Sequence, residues 1–242
     1  MPREIIKCED GSFSIRSERF QQTYHSETGA LAESRYVYLE SGLEYYLAQH
    51  PGTGSVRIVE AGLGTGLDVL LAAVKAETGH FDIDYHVIEL YPLEEDEWKK
   101  LEYGGLLSET GIDIDNIFHR IHSCRWNESV RISEHLTLHK IKGDISDLSL
   151  YAEEALRETD VVFFDAFSPD CQPELWSYEI FKALYDNLTE GGVLTTYSAK
   201  GMVKENLRAA GFFVKRLKGI GHKRHIVRAV KTASGTKSPE RL

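Results

Sequence analysis

The chain has 242 residues, of which 42% are hydrophobic and 27% charged, which suits one soluble α/β domain with a substantial core. Its three cysteines, Cys8, Cys124 and Cys171, form no C-x-x-C pair, so neither a disulfide framework nor a zinc knuckle is indicated. The net charge of −10 hides an asymmetry: from Lys200 onward there are 12 Lys+Arg against 2 Asp+Glu, a surplus of ten positive charges, so the preceding part carries −20. That pattern suggests either a basic face on an acidic body or a solvated surface with a frayed basic tail.

The start, Met1–Gly11, is polar and lacks the apolar core of a signal peptide. The longest apolar stretch, around Leu67–Val74, is too short to span a bilayer. A reducing cytoplasm is therefore the expected setting. A leader over Glu9–Tyr38 reads as a hairpin and a loop, and a helix is predicted over Ala32–Gln49. Pro51–Gly54 is a turn. Short β-branched runs at Val56–Glu60, Tyr85–Glu89, Leu136–Ile141, Val161–Asp165, Val193–Tyr197, Phe212–Leu217 and His225–Val230 predict strands. Helices are predicted over Asp68–Glu77, Leu93–Tyr103, Leu150–Leu156, Tyr178–Leu188 and Lys200–Ala210, while Leu106–Ser133 reads as an insertion. Alternating strands and helices imply a parallel sheet covered on both faces. The connector Lys218–His222 is too short for a parallel crossover, so the final strand should run antiparallel. The expected domains are a leader with its helix (1–50), a seven-stranded α/β body (51–231) and a flexible basic tail (232–242).

The run Val56–Glu60 leads into Gly62-x-Gly64-x-Gly66 and then a helix. Such a strand–turn–helix element binds nucleotides. A dinucleotide fingerprint needs G-x-G-x-x-G, but position 67 is Leu. The pattern from Glu60 to Gly66 instead resembles the first motif of S-adenosylmethionine-dependent methyltransferases, which packs against the amino-acid part of that cofactor. Glu89 ends the second strand, where a carboxylate either accepts ribose hydroxyls or simply precedes a turn. Asp144 follows the third strand; it either meets the adenine amino group, as the resemblance implies, or caps the next helix. Asp165 ends the next strand. Ligands bind beyond the carboxyl ends of such strands, so Glu60, Glu89, Asp144 and Asp165 should face one crevice. A carboxylate at Asp165 could hydrogen-bond an amine and hold its lone pair toward the methyl group. Tyr24, Phe167, Trp176 and Tyr197 are candidate substrate contacts; ordinary core packing is the competing reading for the last three.

The segment Asp165–Trp176 resembles the D-[AG]-F-[AS]-P-x-x-x-P-[ED]-[LM]-W signature of the methyltransferase domain of the tRNA 5-methylaminomethyl-2-thiouridine biosynthesis proteins. Glu89–Leu93, Asp10–Phe13, Ser17–Phe20 with Tyr24–Ser26, Gly192–Tyr197, Ala210–Phe212 and Gly219–Arg224 also resemble segments of that family. The resemblance implies a class I methyltransferase (Rossmann-like) fold, mostly parallel, with an N-terminal β-hairpin leader. It implies methyl transfer to the aminomethyl nitrogen of a wobble uridine in tRNA, with S-adenosyl-L-methionine as donor and neither flavin nor metal. It casts Asp165 as catalytic, with Asp165, Glu60, Gly62, Gly64, Gly66, Glu89 and Asp144 as cofactor contacts. Lys223 and Arg224 become candidate tRNA phosphate contacts in a basic C-terminal third. At this length a stand-alone methyltransferase without the flavin oxidase domain is expected, with a functional link to whatever enzyme installs the aminomethyl group. Competing readings are a methyltransferase or aminopropyltransferase for a small amine, and a non-catalytic cofactor-binding module.

Overall fold

The computed structural model describes residues 3–107, 110–221 and 223–232. Residues 233–242 of the expected tail lie outside the described residues.

The leader is a small antiparallel sheet of β1 (Arg3–Lys7), β2 (Phe13–Ser17) and β3 (Gln22–Thr23). A continuous helical stretch, α1, follows over residues 30–49, with α-helical ends and π-helical turns at Arg35–Glu44. It covers the sheet so closely that a Cβ on Gly42 would sit 3.0 Å from both the Phe163 ring and the Thr195 hydroxyl. The body then runs β4 (Ser55–Ala61), α2 (Leu67–Gly79), β5 (Asp82–Glu89), α3 (Glu95–Trp98), α4 (Ile114–Ser123), β6 (Ser129–Arg131), β7 (Leu136–Lys142), β8 (Thr159–Phe164), α5 (Tyr178–Asn187), β9 (Leu188–Thr196), α6 (Gly201–Ala210), β10 (Phe213–Lys218) and β11 (His225–Val230).

The main sheet has the order β10-β11-β9-β8-β4-β5-β7-β6. β9, β8, β4, β5 and β7 are parallel, and β11 pairs antiparallel with both β9 and β10, as its short connector requires. One core cluster packs α1, α2 and α4 on one face; a second packs α5 and α6 on the other. No helix among the described residues is long and apolar enough to cross a membrane.

Four expectations need correction. The sheet has eight strands, because β6 adds an antiparallel edge to β7. Within Leu106–Ser133 lies α4, the crossover helix between β5 and β7. Its buried residues Ile114, Ile117, Phe118 and Ile121 follow the helical i, i+3, i+4, i+7 spacing, and Asp113 caps its start by accepting from the Asn116 N–H. The helix expected over Leu93–Tyr103 shrinks to α3; the buried Trp98 and Leu101 keep an i, i+3 spacing, but the buried Tyr103 lies off that face. Leu150–Leu156 forms two 3₁₀ turns instead of a helix, broken by extended backbone at Glu153 (ψ 140°).

Candidate active site

In the sheet, the chain walks outward from β4 to β5 and β7, then returns to β8 and β9 on the other side. A crevice is expected at the carboxyl ends of the strands where that direction reverses. A cavity of about 530 Å³ lies there, within the range of small-molecule sites. Of the residues singled out by sequence it brings together Tyr24, Gly62, Gly64, Glu89, Asp144, Asp165, Phe167, Tyr197 and Lys223. The leader supplies one wall through Gln22–Glu27. Gln22 ties that wall to the strand-end loop, its amide donating to the Ser168 hydroxyl at 2.6 Å.

Backbone N–H groups brace Glu89: Tyr91 donates to Oε1 at 2.6 Å and Gly64 to Oε2 at 3.3 Å. The glycine loop is thereby keyed to the end of β5. Asp144 accepts from both the N–H and the hydroxyl of Ser146, at 2.8 and 2.7 Å, which fixes its carboxylate at the cavity edge. Gly62 has φ +97°, and a Cβ there would lie 3.0 Å from the Asp165 carbonyl, so a side chain would push the loop off the end of β8.

Asp165 accepts from the Tyr38 hydroxyl at 2.5 Å. Burial and then the neighbouring Asp68 push its carboxyl well above the ordinary carboxylate range; Tyr38 and Lys223 oppose that shift, and Glu33 adds to it. Glu60 is raised too, by burial first and then by Asp68 and Asp165. Asp68 sits in the first turn of α2, only 2% exposed, and neither carboxylate oxygen has a partner in hydrogen-bonding geometry. Burial lifts it to about 7, against the opposing pull of the nearby Ser34 hydroxyl. The interior behind the cavity is therefore rich in carboxyl groups and short of countercharge.

Four of the expected contacts are not in the cavity wall. Glu60 is 1% exposed and accepts from the Tyr85 hydroxyl at 2.9 Å, one layer below. Gly66, at φ +76°, makes room for a different neighbour: a Cβ there would lie 2.8 Å from Nε2 of His122 on α4. Trp176 is fully buried; its indole N–H donates to the Phe167 carbonyl at 2.9 Å, so it props the Phe167 loop from behind. Arg224 is exposed outside the cavity. Lys223 is in the wall, but its ammonium turns inward, paired with Glu33 and 3.9 Å from the centroid of the Tyr197 ring, so it is not a free phosphate contact. Residues passed over by the sequence reading are Tyr38, Asp68, Glu33 and Tyr91. Asp68, two residues beyond the last glycine, carried a usable signal; Tyr38 was one tyrosine among several in α1.

A family model described as S-adenosyl-L-methionine-dependent methyltransferase matches residues 114–232. A crystal structure of MNMC2 from Aquifex aeolicus superposes with a TM-score of 0.78 at 25% identity, covering 98% of this chain and 73% of that one. The chain is thus similar in sequence and in fold to the MnmC-like S-adenosyl-L-methionine-dependent methyltransferases. Proteins named tRNA 5-methylaminomethyl-2-thiouridine biosynthesis bifunctional protein MnmC are similar to it over 88% of its length, at 31% identity in Nitrosospira multiformis and 32% in Pseudomonas fluorescens. It spans about a third of the length of these curated relatives, 34% and 32%. The family match takes in Asp165, Trp176 and Lys223 but begins after the glycine loop. Within this MnmC-like domain the role of the loop therefore rests on geometry.

That geometry suits the family's cofactor. Gly62 and Gly64 leave the loop bare, Glu89 and Asp144 offer fixed acceptors, and the unpartnered Asp68 leaves the interior suited to a cation.

Two expected outcomes arise from the buried groups. The Asp68 carboxyl, near 3.8 when solvated, is raised to about 7 in the fold. Its contribution to stability is thus fully present below pH 3.8 and is lost as pH rises through 7. Asp68→Asn should stabilise the unliganded protein by about 4 kcal/mol at pH 8 and by less than about 1 kcal/mol at pH 4. Urea denaturation at both pH values checks this; a pH-independent effect would refute it. Gly66→Ala should cost about 1–3 kcal/mol through the clash with His122 and the left-handed backbone. A denaturation midpoint equal to that of the parent would show that the loop and α4 relax instead.

Proposed function

We propose that this chain is an S-adenosyl-L-methionine-dependent N-methyltransferase that converts 5-aminomethyl(-2-thio)uridine at the wobble position of tRNA to 5-methylaminomethyl(-2-thio)uridine. The observation that carries this reading is the placement of Asp165. It stands in the cavity between the glycine loop and the wall made by Tyr24, Phe167 and Tyr197. The names of the relatives support the substrate.

When bound, the cofactor supplies an electrophilic methyl group on a sulfonium. Gly62 and Gly64 would take its amino-acid part, Glu89 the ribose hydroxyls and Asp144 the adenine amino group. Asp165 would hold the incoming amine and take up its proton, while Tyr38 fixes the carboxylate. Phe167 and Tyr24, with ring centroids 5.1 Å apart, narrow the entrance and exclude water. Tyr197 donates to the Ala166 carbonyl at 2.9 Å, which holds the backbone beside Asp165.

The basic C-terminal third supports a nucleic-acid partner. Arg216, Lys204 and Arg224, from β10, α6 and the β10–β11 connector, add to desolvation in pushing His225 below its ordinary value, which supports a local surplus of positive charge. A polyanion bound there should dissociate steeply as salt rises, whereas a small neutral amine should not. The deciding experiment is mass spectrometry of tRNA nucleosides after incubation with enzyme and cofactor. Gain of one methyl on the aminomethyl nucleoside is expected. Cofactor binding with no methylated nucleoside would overturn the assignment.

A further inference from the structure

We propose that Arg19 and Phe20, backed by Tyr91, form a stacking platform at the cavity mouth for the unpaired base next to the nucleotide being methylated; this rests on the RNA reading above. A base held in a cavity of this kind has left its stack, so its neighbours in the strand also need new partners. Unpaired RNA bases commonly find them on aromatic rings and arginine planes.

The mouth of the cavity carries such a surface. Arg19 lies in the turn after β2 and is exposed. Its guanidinium lies 4.0 Å from the centroid of the Tyr91 ring and 5.5 Å from that of Phe20. A hydrogen bond of 2.8 Å to the Tyr91 hydroxyl holds it in place. Phe20 packs on Phe167 at 4.2 Å and on Tyr91 at 5.8 Å. Both Phe167 and Tyr91 line the cavity, so the platform is continuous with the site. Arg16 on β2 lines it too, with its guanidinium paired to Glu4 and Glu27. An arginine held over a tyrosine at the surface adds little to core packing. It does offer a planar cation, which suits a base better than a point charge would.

The test uses a stem–loop RNA carrying 5-aminomethyluridine in its loop, with 2-aminopurine as either neighbour. Arg19→Lys keeps the charge and removes the plane. The variant should bind this RNA about tenfold more weakly, the loss expected for one stack, with an unchanged slope of affinity against salt. The parent should quench 2-aminopurine at one neighbouring position, and Arg19→Lys and Phe20→Leu should relieve that quenching. Affinity for S-adenosylhomocysteine should stay within twofold in both variants, which shows that they are folded. If Arg19→Lys binds like the parent, or if the parent quenches neither neighbour, the platform is overturned while the RNA reading stands. If the parent neither binds nor methylates the RNA, that reading falls and takes the platform with it.

Discussion

Asp165→Asn should lower kcat about a thousandfold and leave the Kd for S-adenosylhomocysteine within a few-fold of the parent. Asparagine has nearly the shape of aspartate and can still accept from Tyr38 through its carbonyl oxygen, so the hydrogen bond at Oδ1 has a substitute. What it lacks is a charge to hold an ammonium and a basic oxygen to take its proton. The loss should therefore appear in turnover rather than in cofactor binding. Single-turnover methylation together with calorimetry of product binding separates the two. A variant with a fifth or more of the parent rate would remove Asp165 from proton transfer and leave a bound water as the acceptor. The pH profile gives a second reading. Burial and Asp68 raise the Asp165 carboxyl, and the proposed role in proton transfer needs its ionised form. The acid limb of kcat should thus lie above the ordinary carboxylate range, with the rate falling as pH drops through it. Because Asp68 is the largest charged contributor, Asp68→Asn should move that limb to lower pH.

Glu89→Ala should weaken cofactor binding at least 100-fold. Hydrogen bonds to a charged group contribute about 1.5–3 kcal/mol each, and two ribose hydroxyls are assigned to this carboxylate. The substitution also strands the N–H groups of Tyr91 and Gly64, which now donate to Glu89, so the glycine loop loses its tie to β5. Calorimetry with S-adenosylmethionine measures the loss, and circular dichroism checks that the sheet persists. An affinity within fivefold of the parent would mean that the ribose is held elsewhere.

The strands were legible because their apolar runs are short, β-branched and separated by clear turns. Val56–Glu60 and His225–Val230 agree with the structure to within a residue. The antiparallel last strand followed from the length of its connector alone. In contrast, α4 lies within a stretch that reads as an insertion, although Ile114, Ile117, Phe118 and Ile121 spell out its buried face. The helix expected over Leu93–Tyr103 shows the opposite error, a stretch rich in helix formers whose apolar residues do not all share one face.

By itself the sequence determined the layered α/β class, the glycine loop and three of the strand-end carboxylates that line the cavity, Glu89, Asp144 and Asp165. These depend on local pattern and on the rule that parallel strands present their ends on one side. Only the tertiary structure decided which residues share the cavity. It buried Glu60 and Trp176 and turned Lys223 inward toward Glu33. It gave Gly66 to the packing of His122, and brought Tyr38 and the leader wall to Asp165 and Asp68 to the interior behind it. The reason is that such placements are set by contacts between segments up to 190 residues apart in the chain. Burial, not residue type, then fixes whether a carboxylate meets a ligand, a tyrosine or no partner at all.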